Sequence, residues 1–361
     1  MGNQCGCYRN NADARHELEG QLDAPEYHAS ATKIQAHYRG KKVRQQLKET
    51  ADGQDPLKKL NDIENATTGE TVFSPSSLEK RNPKVAAILN QLGPFKYEGS
   101  LKTFDSFPTK SPRKLENGAI YVGQWDGDLR HGKGKQYWPD GAVYEGYWAD
   151  GKANGRGRLI HADGDYYEGN WVNDKVSGYG KYVHPDGRYY EGEWINEKQH
   201  GRGKERYSDG SVYEGMFVDG KKQGLGTMRW IDHSIYTGEF HNNVINGKGR
   251  YCWADGRVYE GEWKDNKMHG EGLFTWPDGR RYEGSYRNDK KEGFGIYILQ
   301  DGKRYEGQWA DGKQHGTGKY INLNGQVKRG EWKEGKRVKW IGDTQNDTTF
   351  EIKESAISSK L

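Results

Sequence analysis

The sequence predicts an all-β fold, an elongated antiparallel β-hairpin solenoid preceded by a short α-helical segment and a linker. Three observations point to it. Tyr121, Tyr144, Tyr167, Tyr190, Tyr213, Tyr236, Tyr259, Tyr282 and Tyr305 stand in register at a spacing of 23 residues, and a tenth, decayed copy begins at Lys328. Each Tyr is followed by Gly two positions on and by an aromatic four positions on, from Trp125 and Trp148 through Phe217 and Phe240 to Tyr286 and Trp309. A Gly-x-Gly pair completes each unit, from Gly132/Gly134 to Gly316/Gly318. A unit this short cannot bury a face alone, so neighbours must stack into one array.

Composition agrees once the repeat is taken into account. A hydrophobic content of 32% and a mean hydropathy of −1.14 over 361 residues would by themselves suggest disorder. The apolar content is concentrated in large rings, 24 Tyr, 12 Trp and 9 Phe, with 51 Gly leaving room for them. The net charge of +4 gives no ground for bulk nucleic-acid binding. No run approaches the roughly 20 apolar residues of a spanning helix. Three cysteines make no disulfide framework and suit a reducing compartment.

Taken in chain order, residues 1–29 read as an acylation signal and flexible arm. Met1-Gly2-Asn3-Gln4-Cys5-Gly6-Cys7 resembles a dual-acylation sequence, which implies myristate on Gly2 and palmitate on Cys5 and Cys7. Gly6 stands where Ser or Thr is preferred, and two incidental thiols on a free terminus are the alternative. Residues 30–50 read as a basic helix with Ile34 and Tyr38 on one side and Val43 and Leu47 nearly opposite. Two opposed apolar pairs among lysines and arginines suit a helix gripped from both sides by an acidic, two-lobed partner. Ile34-Gln35, Arg39-Gly40 and Arg44 resemble the complete IQ motif, which implies a site for calmodulin or a calmodulin-like light chain, often without need of calcium.

Residues 51–81 read as a polar linker. Within 82–120, Asn82-Pro83 opens a helix with Val85, Ile88, Leu89 and Leu92 on one face, and Gly93-Pro94 ends it. Its stripe is expected to cover the open edge of the first strand. Tyr97-Glu98-Gly99 reads as a degenerate repeat whose inserted loop exposes Ser111-Pro112-Arg113-Lys114, a proline-directed phosphorylation pattern.

Residues 121–340 are the array. In Tyr144-Glu145-Gly146-Tyr147-Trp148, period-2 alternation puts Tyr144, Gly146 and Trp148 on one face. Asp150-Gly151 is a tight turn, Gly155-x-Gly157-x-Leu159 the returning strand, and Asp163-Gly164 the turn into the next Tyr. The pattern of Tyr259 to Gly279 resembles the MORN repeat, and the layout with an IQ motif resembles MORN scaffold proteins of ciliated protists. The resemblance implies a non-catalytic scaffold at the cytoplasmic face of a membrane, the cell cortex or a cilium. It also leaves open a phosphoinositide-binding or lipid-kinase-regulating module, and an axonemal component resembling the radial-spoke-head MORN proteins. At Tyr236 the turn reads Asp232-His233-Ser234 in place of Asp-Gly, so a local irregularity is expected there.

On the face opposite the Tyr row, Glu145, Glu168, Glu191, Glu214, Glu260, Glu283 and Glu306 should meet Lys135, Arg158, Lys181, Lys204, Arg250 and Lys319 and neutralise them. Towards the C-terminus Leu273, Phe294 and Ile296 replace the basic row and mark a surface for self-association, a homodimer or a partner. Packing under a terminal segment is the alternative.

No catalysis, metal or cofactor is expected. Gly146 to Ala153 approaches a phosphate-loop pattern but lacks the Ser or Thr after Lys152 and any helix to follow. His131, His200, His269 and His315 recur two or three whole repeats apart, roughly 20 Å at the nearest and too far for a shared ion. Cys252 reads as a packed thiol. MORN arrays also resemble the N-terminal part of some lipid kinases, but the polar tail at 341–361 is too short for a kinase domain. Ser359-Lys360-Leu361 spells a peroxisomal address, an alternative to the membrane location.

Overall fold

Each repeat folds as the alternation dictates, a seven-residue strand such as Val143–Ala149 followed by a nine-residue strand such as Lys152–Ile160. The computed structural model describes residues 74–97 and 106–341. Among these are two helices, α1 (Pro75–Glu79) and α2 (Pro83–Leu92), and 21 strands. The strands fall into two compact units. The N-terminal unit holds 74–97, 106–231 and 240–243, and the C-terminal unit holds 232–239 and 244–341. In the N-terminal unit, β1 (Thr109–Lys114), β2 (Ile120–Asp126), β3 (Leu129–Tyr137), β4 (Val143–Ala149) and β5 (Lys152–Ile160) begin a meander that ends at β11 (Lys221–Arg229). Each strand pairs antiparallel with its neighbours in sequence. The C-terminal unit repeats the plan from β13 (Val244–Cys252) through β15 (Lys267–Thr275) and β17 (Lys290–Ile298) to β20 (Val327–Lys333) and β21 (Lys336–Ile341).

The Tyr ring sets the geometry. Tyr144 is fully buried, and its hydroxyl donates to the Tyr147 carbonyl at 3.0 Å, which lays the ring along its own strand. The same bond recurs in all nine repeats, from Tyr121 to the Gln124 carbonyl (2.9 Å) to Tyr305 and the Gln308 carbonyl (3.1 Å). Beneath the ring lies a cross-strand glycine pair, Gly146 opposite Gly157. A Cβ on Gly146 would stand 2.5 Å from the Gly157 Cα, and one on Gly157 would overlap the Tyr144 hydroxyl. The Trp rings close the core: Tyr144 meets Trp148 edge-on at 4.9 Å and Trp171 of the next repeat at 5.3 Å. Such contacts contribute about 1 kcal/mol each beyond area burial. The Trp148 indole N–H donates to the Gly134 carbonyl of the preceding hairpin at 3.1 Å, as those of Trp171, Trp194, Trp263 and Trp309 do in theirs.

Turn chemistry explains the Asp/Asn-Gly and Asn-Asp pairs. Asp150 (φ 49°) and Gly151 (φ 77°) are both left-handed, the geometry of a two-residue type I′ hairpin. In several repeats the second turn residue reaches back one repeat. Asp289 accepts from the Met268 N–H at 2.7 Å while its own N–H donates to the Met268 carbonyl at 3.0 Å. Asn266 clamps Ile245 and Asp174 clamps Ala153 in the same way. These reciprocal bonds tie consecutive hairpins beyond the strand ladder.

The structure corrects four expectations. Residues 75–79, read as linker, form α1, capped by Ser74. Helix α2 has the expected bounds, with Asn82 capping Lys84 and Val85. It covers a sheet face, where Val85 joins Leu78, Ile120, Tyr137, Val143 and Ile160, and not the sheet edge. The edge is β1, so Ser111 and Pro112 sit in an exposed edge strand with a bulge between Lys110 and Arg113, not in a loop. Tyr97 sets its ring against Tyr147 at 5.4 Å, while Glu98 and Gly99 of the expected degenerate repeat lie outside the described residues. At the variant turn before Tyr236, His233 takes the left-handed conformation (φ 71°) that Gly takes elsewhere, and β12 (Ile235–His241) keeps the usual length. The hairpins also carry a bulge that alternation alone does not show: Gly146 faces Gly157, but Trp148 faces Ala153.

Gly146→Ala forces backbone against backbone and should cost about 3 kcal/mol or more in urea denaturation. Gly187→Ala, at φ 86° with open space around it, should cost about 1 kcal/mol; equal effects would contradict the ring-over-glycine account. Burial raises the Asp289 carboxyl pKa, so the folded state favours its protonated form and stability is lost as pH rises through that value. Asp289→Asn keeps the acceptor, as Asn266 does naturally, and should raise the neutral-pH melting midpoint by roughly 1 °C and flatten its acid-side pH dependence. Burial likewise pushes the Tyr144 and Tyr167 phenols well above their usual range and Tyr305 up to about 12. That stability is intact below the unfolded value of about 10 and drains as pH rises above it. The array should therefore unfold cooperatively in alkali, with tyrosinate absorbance appearing at the unfolding transition and not before it.

Candidate interaction surface

Side chains alternate across each strand, so each unit presents a Tyr–Gly–Trp face and an opposite face. In the N-terminal unit three of the expected pairs neutralise the opposite face, while Glu214 and Lys204, opposite each other in the ladder, form no ion pair. Lys135 pairs with Glu145 at 3.1 Å, Arg158 with Glu168 at 2.8 Å and Lys181 with Glu191 at 2.9 Å. Helix α2 lies on this face beside those pairs. The Asn82 amide donates to the Asp140 and Ala162 carbonyls of two successive turns, at 3.2 and 2.9 Å. Glu79 accepts from Lys135 and from the Tyr137 hydroxyl, and Arg158 donates to the Gly93 carbonyl. The helix is thus held at both ends, and the face beneath it is closed.

In the C-terminal unit, Leu273 on β15 and Ile296 on β17 both face Glu283 of the strand between them. Phe294 stands two positions before Ile296 on the same face. The strand carrying Glu283 separates Leu273 from the other two, and each of the three is half-buried. Arg250 and Glu260 continue the ion-pair row at 3.6 Å. Gly2, Cys5, Cys7, and Ile34, Gln35, Tyr38, Arg39, Gly40, Val43, Arg44 and Leu47, like Ser359-Lys360-Leu361, lie outside the described residues.

The Tyr–Trp face holds what sequence reasoning missed. Lys291 sits in an aromatic box, its ammonium 5.2 Å from the Trp276 ring and 4.7 Å from each of Tyr282, Tyr297 and Trp309. Burial, assisted by the Arg280 charge, lowers its pKa to about 8. Four ring faces act in the opposite sense, since each attracts a cation by its quadrupole. Lys222, at the equivalent position of the N-terminal unit, is buried against Glu205 at 3.5 Å. Among the described residues no carboxylate plays that part for Lys291. The sequence signal was the Trp that precedes two successive Asp-Gly turns, in Trp253-Ala254-Asp255-Gly256 and Trp276-Pro277-Asp278-Gly279.

The remaining candidates settle as structural. Gly146 to Ala153 forms β4, a hairpin and the start of β5, with no helix following. His131, His200, His269 and His315 are spread over four separate strands. No cluster of metal-ligating side chains occurs among the described residues. Cys252 is a buried free thiol.

Residues 121–143, 144–166, 167–187, 190–212, 213–235, 236–256, 259–280, 282–304 and 305–327 match the family model of the MORN repeat, and residues 28–48 match that of the IQ calmodulin-binding motif. No curated protein matches the chain. Among solved structures it is similar to a mutant TCP10 domain of Danio rerio CPAP, at 13% identity and a TM-score of 0.26, covering 65% of this chain and 100% of that one. It is also similar to the SAS-4 (dCPAP) TCP domain of Drosophila melanogaster, at 11% identity and a TM-score of 0.24, covering 67% and 98%. A virginiamycin B lyase from Staphylococcus aureus gives 11% identity and a TM-score of 0.12 over 63% and 85%. None of these structural likenesses bears on what the chain does. The matched repeats take up more than half of the sequence and coincide with the hairpins built on Tyr, Gly-x-Gly and Trp: the chain belongs to the MORN-repeat family and carries an IQ calmodulin-binding motif.

Proposed function

We propose that this protein is a non-catalytic, membrane-tethered scaffold. Acyl chains on Gly2, Cys5 and Cys7 hold it at the cytoplasmic face of a membrane, at the cell cortex or a cilium. The IQ motif around Ile34, Arg39 and Arg44 recruits calmodulin or a related light chain, and the array organises further partners. The observation that carries the reading is the IQ match at 28–48 on the same chain as nine MORN repeats. A rigid hairpin array offers a long sequence of fixed side-chain positions and no convergent set of acid, base and nucleophile, which suits assembly better than chemistry.

A second reading, a phosphoinositide-binding or lipid-kinase-regulating role, draws on the membrane association of MORN arrays in general. The ion pairing of the basic row with Glu145, Glu168 and Glu191 weighs against a broad basic lipid surface. Liposome flotation with and without phosphoinositide separates it from protein scaffolding. An axonemal role predicts fractionation that detergent does not release, and import by Ser359-Lys360-Leu361 predicts a peroxisomal matrix pool.

Calmodulin resin should retain the full chain with calcium chelated, and Ile34→Ala with Arg39→Ala should weaken retention by roughly tenfold or more. Flow-through in both calcium states would refute recruitment. Gly2→Ala should move the protein from the detergent-soluble membrane fraction to the soluble one; an unchanged distribution would refute the tether.

A further inference from the structure

The C-terminal unit carries a second aromatic row beside the buried Tyr–Trp stack. Tyr251 and Trp253, Phe274 and Trp276, and Tyr297 and Leu299 occupy the same two positions in three successive repeats, where the nine-residue strand runs into its Asp-Gly turn. Their rings touch in sequence: Tyr251 and Trp253 at 4.5 Å, Trp253 and Phe274 at 5.2 Å, Phe274 and Trp276 at 4.4 Å, Trp276 and Tyr297 at 5.9 Å. Tyr251 and Phe274 form the buried floor, whereas Trp253, Trp276, Tyr297 and Leu299 keep part of their surface in solvent. In the N-terminal unit the same two positions read Gln136/Trp138, Leu159/His161, Tyr182/His184, Glu205/Tyr207 and Met228/Trp230, so the row there is broken by polar groups.

Two features of the row bear on what it can bind. The core tryptophans Trp263 and Trp309 donate their indole N–H to glycine carbonyls at 3.1 and 3.2 Å. Trp253 and Trp276 find no such acceptor among the described residues. Arg257 stacks over Trp253 at 5.4 Å and Arg280 over Trp276 at 5.3 Å, each bound to its own turn aspartate, Asp255 and Asp278, at 2.7 Å. Lys291 between Trp276 and Tyr297 has no such carboxylate.

We propose that this row is a docking strip for an acidic, proline-rich segment of a partner protein in the polyproline II conformation. The dimensions fit. Two strands per repeat at about 4.8 Å each bring Trp253, Trp276 and Leu299 round every ~9.6 Å, and a polyproline II helix returns to the same face every three residues, about 9.3 Å. One proline per repeat can therefore rest on the row without losing step. Exposed aromatic grooves recognise such segments, and unpaired indole N–H groups supply the donors that proline-rich backbone carbonyls need. The cation of Lys291 selects an acidic side chain at the neighbouring position. A single-stranded nucleic acid needs a positively charged groove that tracks its backbone, whereas Arg257 and Arg280 of this row are already bound to Asp255 and Asp278. The strip gives a chemical class to the partner-organising role proposed for the array and rests on that reading. Calmodulin capture of the same variants reports on recruitment separately.

The test is fluorescence anisotropy of a labelled peptide of about four Pro-Pro-Glu triplets titrated with the full chain. A peptide of equal charge with Gly for Pro and an oligothymidylate serve as competitors of other classes. Saturable binding should be roughly tenfold tighter for the Pro-Pro-Glu peptide than for its Gly-Gly-Glu counterpart. Trp276→Ala should weaken it by roughly tenfold, and Lys291→Gln, which leaves the rings in place, by roughly threefold. Circular dichroism melting and calmodulin capture establish that each variant is folded. Absence of binding, equal binding of the glycine peptide, tighter binding of the oligothymidylate, or indifference to both substitutions in folded protein would each overturn the proposal.

Discussion

The structure depends on one interaction, a tyrosine hydroxyl bonded to the carbonyl three residues along its own strand. That bond, Tyr144 to Tyr147 in its most buried instance, forces the ring to lie along the strand and not to project from it. A ring in that attitude occupies the space where the next side chains on the face would stand. Only glycine fits there, on its own strand and on the partner, which is why Gly146 and Gly157 face each other beneath it. With the glycine carbonyls uncovered, the following indole can donate to one of them, as Trp148 does to Gly134. The Tyr, the two glycines and the Trp are therefore one physical unit. Phe217, Phe240 and Tyr286 replace the indole in three repeats, and there the Tyr bond and the glycine pair persist with an aromatic ring alone closing the core.

This arrangement lets a single sheet keep a dry face. A sheet usually needs a second layer to cover its apolar side. Here the flat tyrosines and edge-on tryptophans roof the strands themselves, and each Tyr leans on the Trp of the next repeat, as Tyr144 leans on Trp171. The opposite face has no such roof and is managed in two ways. Where it carries Ile120, Val143 and Ile160, helix α2 covers it. Where it carries Glu168 and Arg158 or Glu191 and Lys181, ion pairs neutralise it. The reciprocal bonds of Asp174, Asn266 and Asp289 add a tie along the turn edge, so consecutive hairpins resist sliding as well as peeling.

The fold was legible because its determinants are local and periodic. The Tyr spacing, the Asp-Gly turns and the Asn82-Pro83 cap each act within a few residues, and each appears in the structure where its chemistry places it. What was not legible depends on cross-chain geometry. Alternation cannot show the bulge at Trp148, because the extra residues sit on the partner strand. Helix α1 is only five residues long, too short for a periodic signal. Asp232-His233-Ser234 looked like a defect because the motif's Gly was missing, yet His233 accepts the left-handed conformation and Asp232 supplies the turn's hydrogen bond to Ser234. At the interaction surface, Leu273, Phe294 and Ile296 stood out by departing from a charged row. The row from Tyr251 to Leu299 was hidden because aromatics are expected in this sequence, and periodicity made it resemble more core.

Lys222 and Lys291 show how such an array can acquire function without losing its fold. Both lysines occupy the same place, on the face of a Tyr, at the start of a returning strand. Lys222 is offset by Glu205, whose carboxylate also accepts from Tyr207, and the group is closed on itself. A buried pair of this kind adds little net stability, but removing one partner strands the other. In the C-terminal unit the position of Glu205 is taken by Phe274, and the positions around it by Trp276 and Tyr297. The lysine then has rings where it had a counter-ion. Ring faces hold a cation in place but leave its charge uncancelled, so its field remains available to a partner. The Tyr and Gly positions are bound by the packing they perform, and the core Trp position varies only among large rings, Phe217, Phe240 and Tyr286 included. The pair of positions before each Asp-Gly turn is free of that constraint, and neighbouring repeats differ there in chemistry, as Glu205, Met228, Tyr251 and Phe274 do. Recognition in this protein is to be sought where the repeat stops repeating.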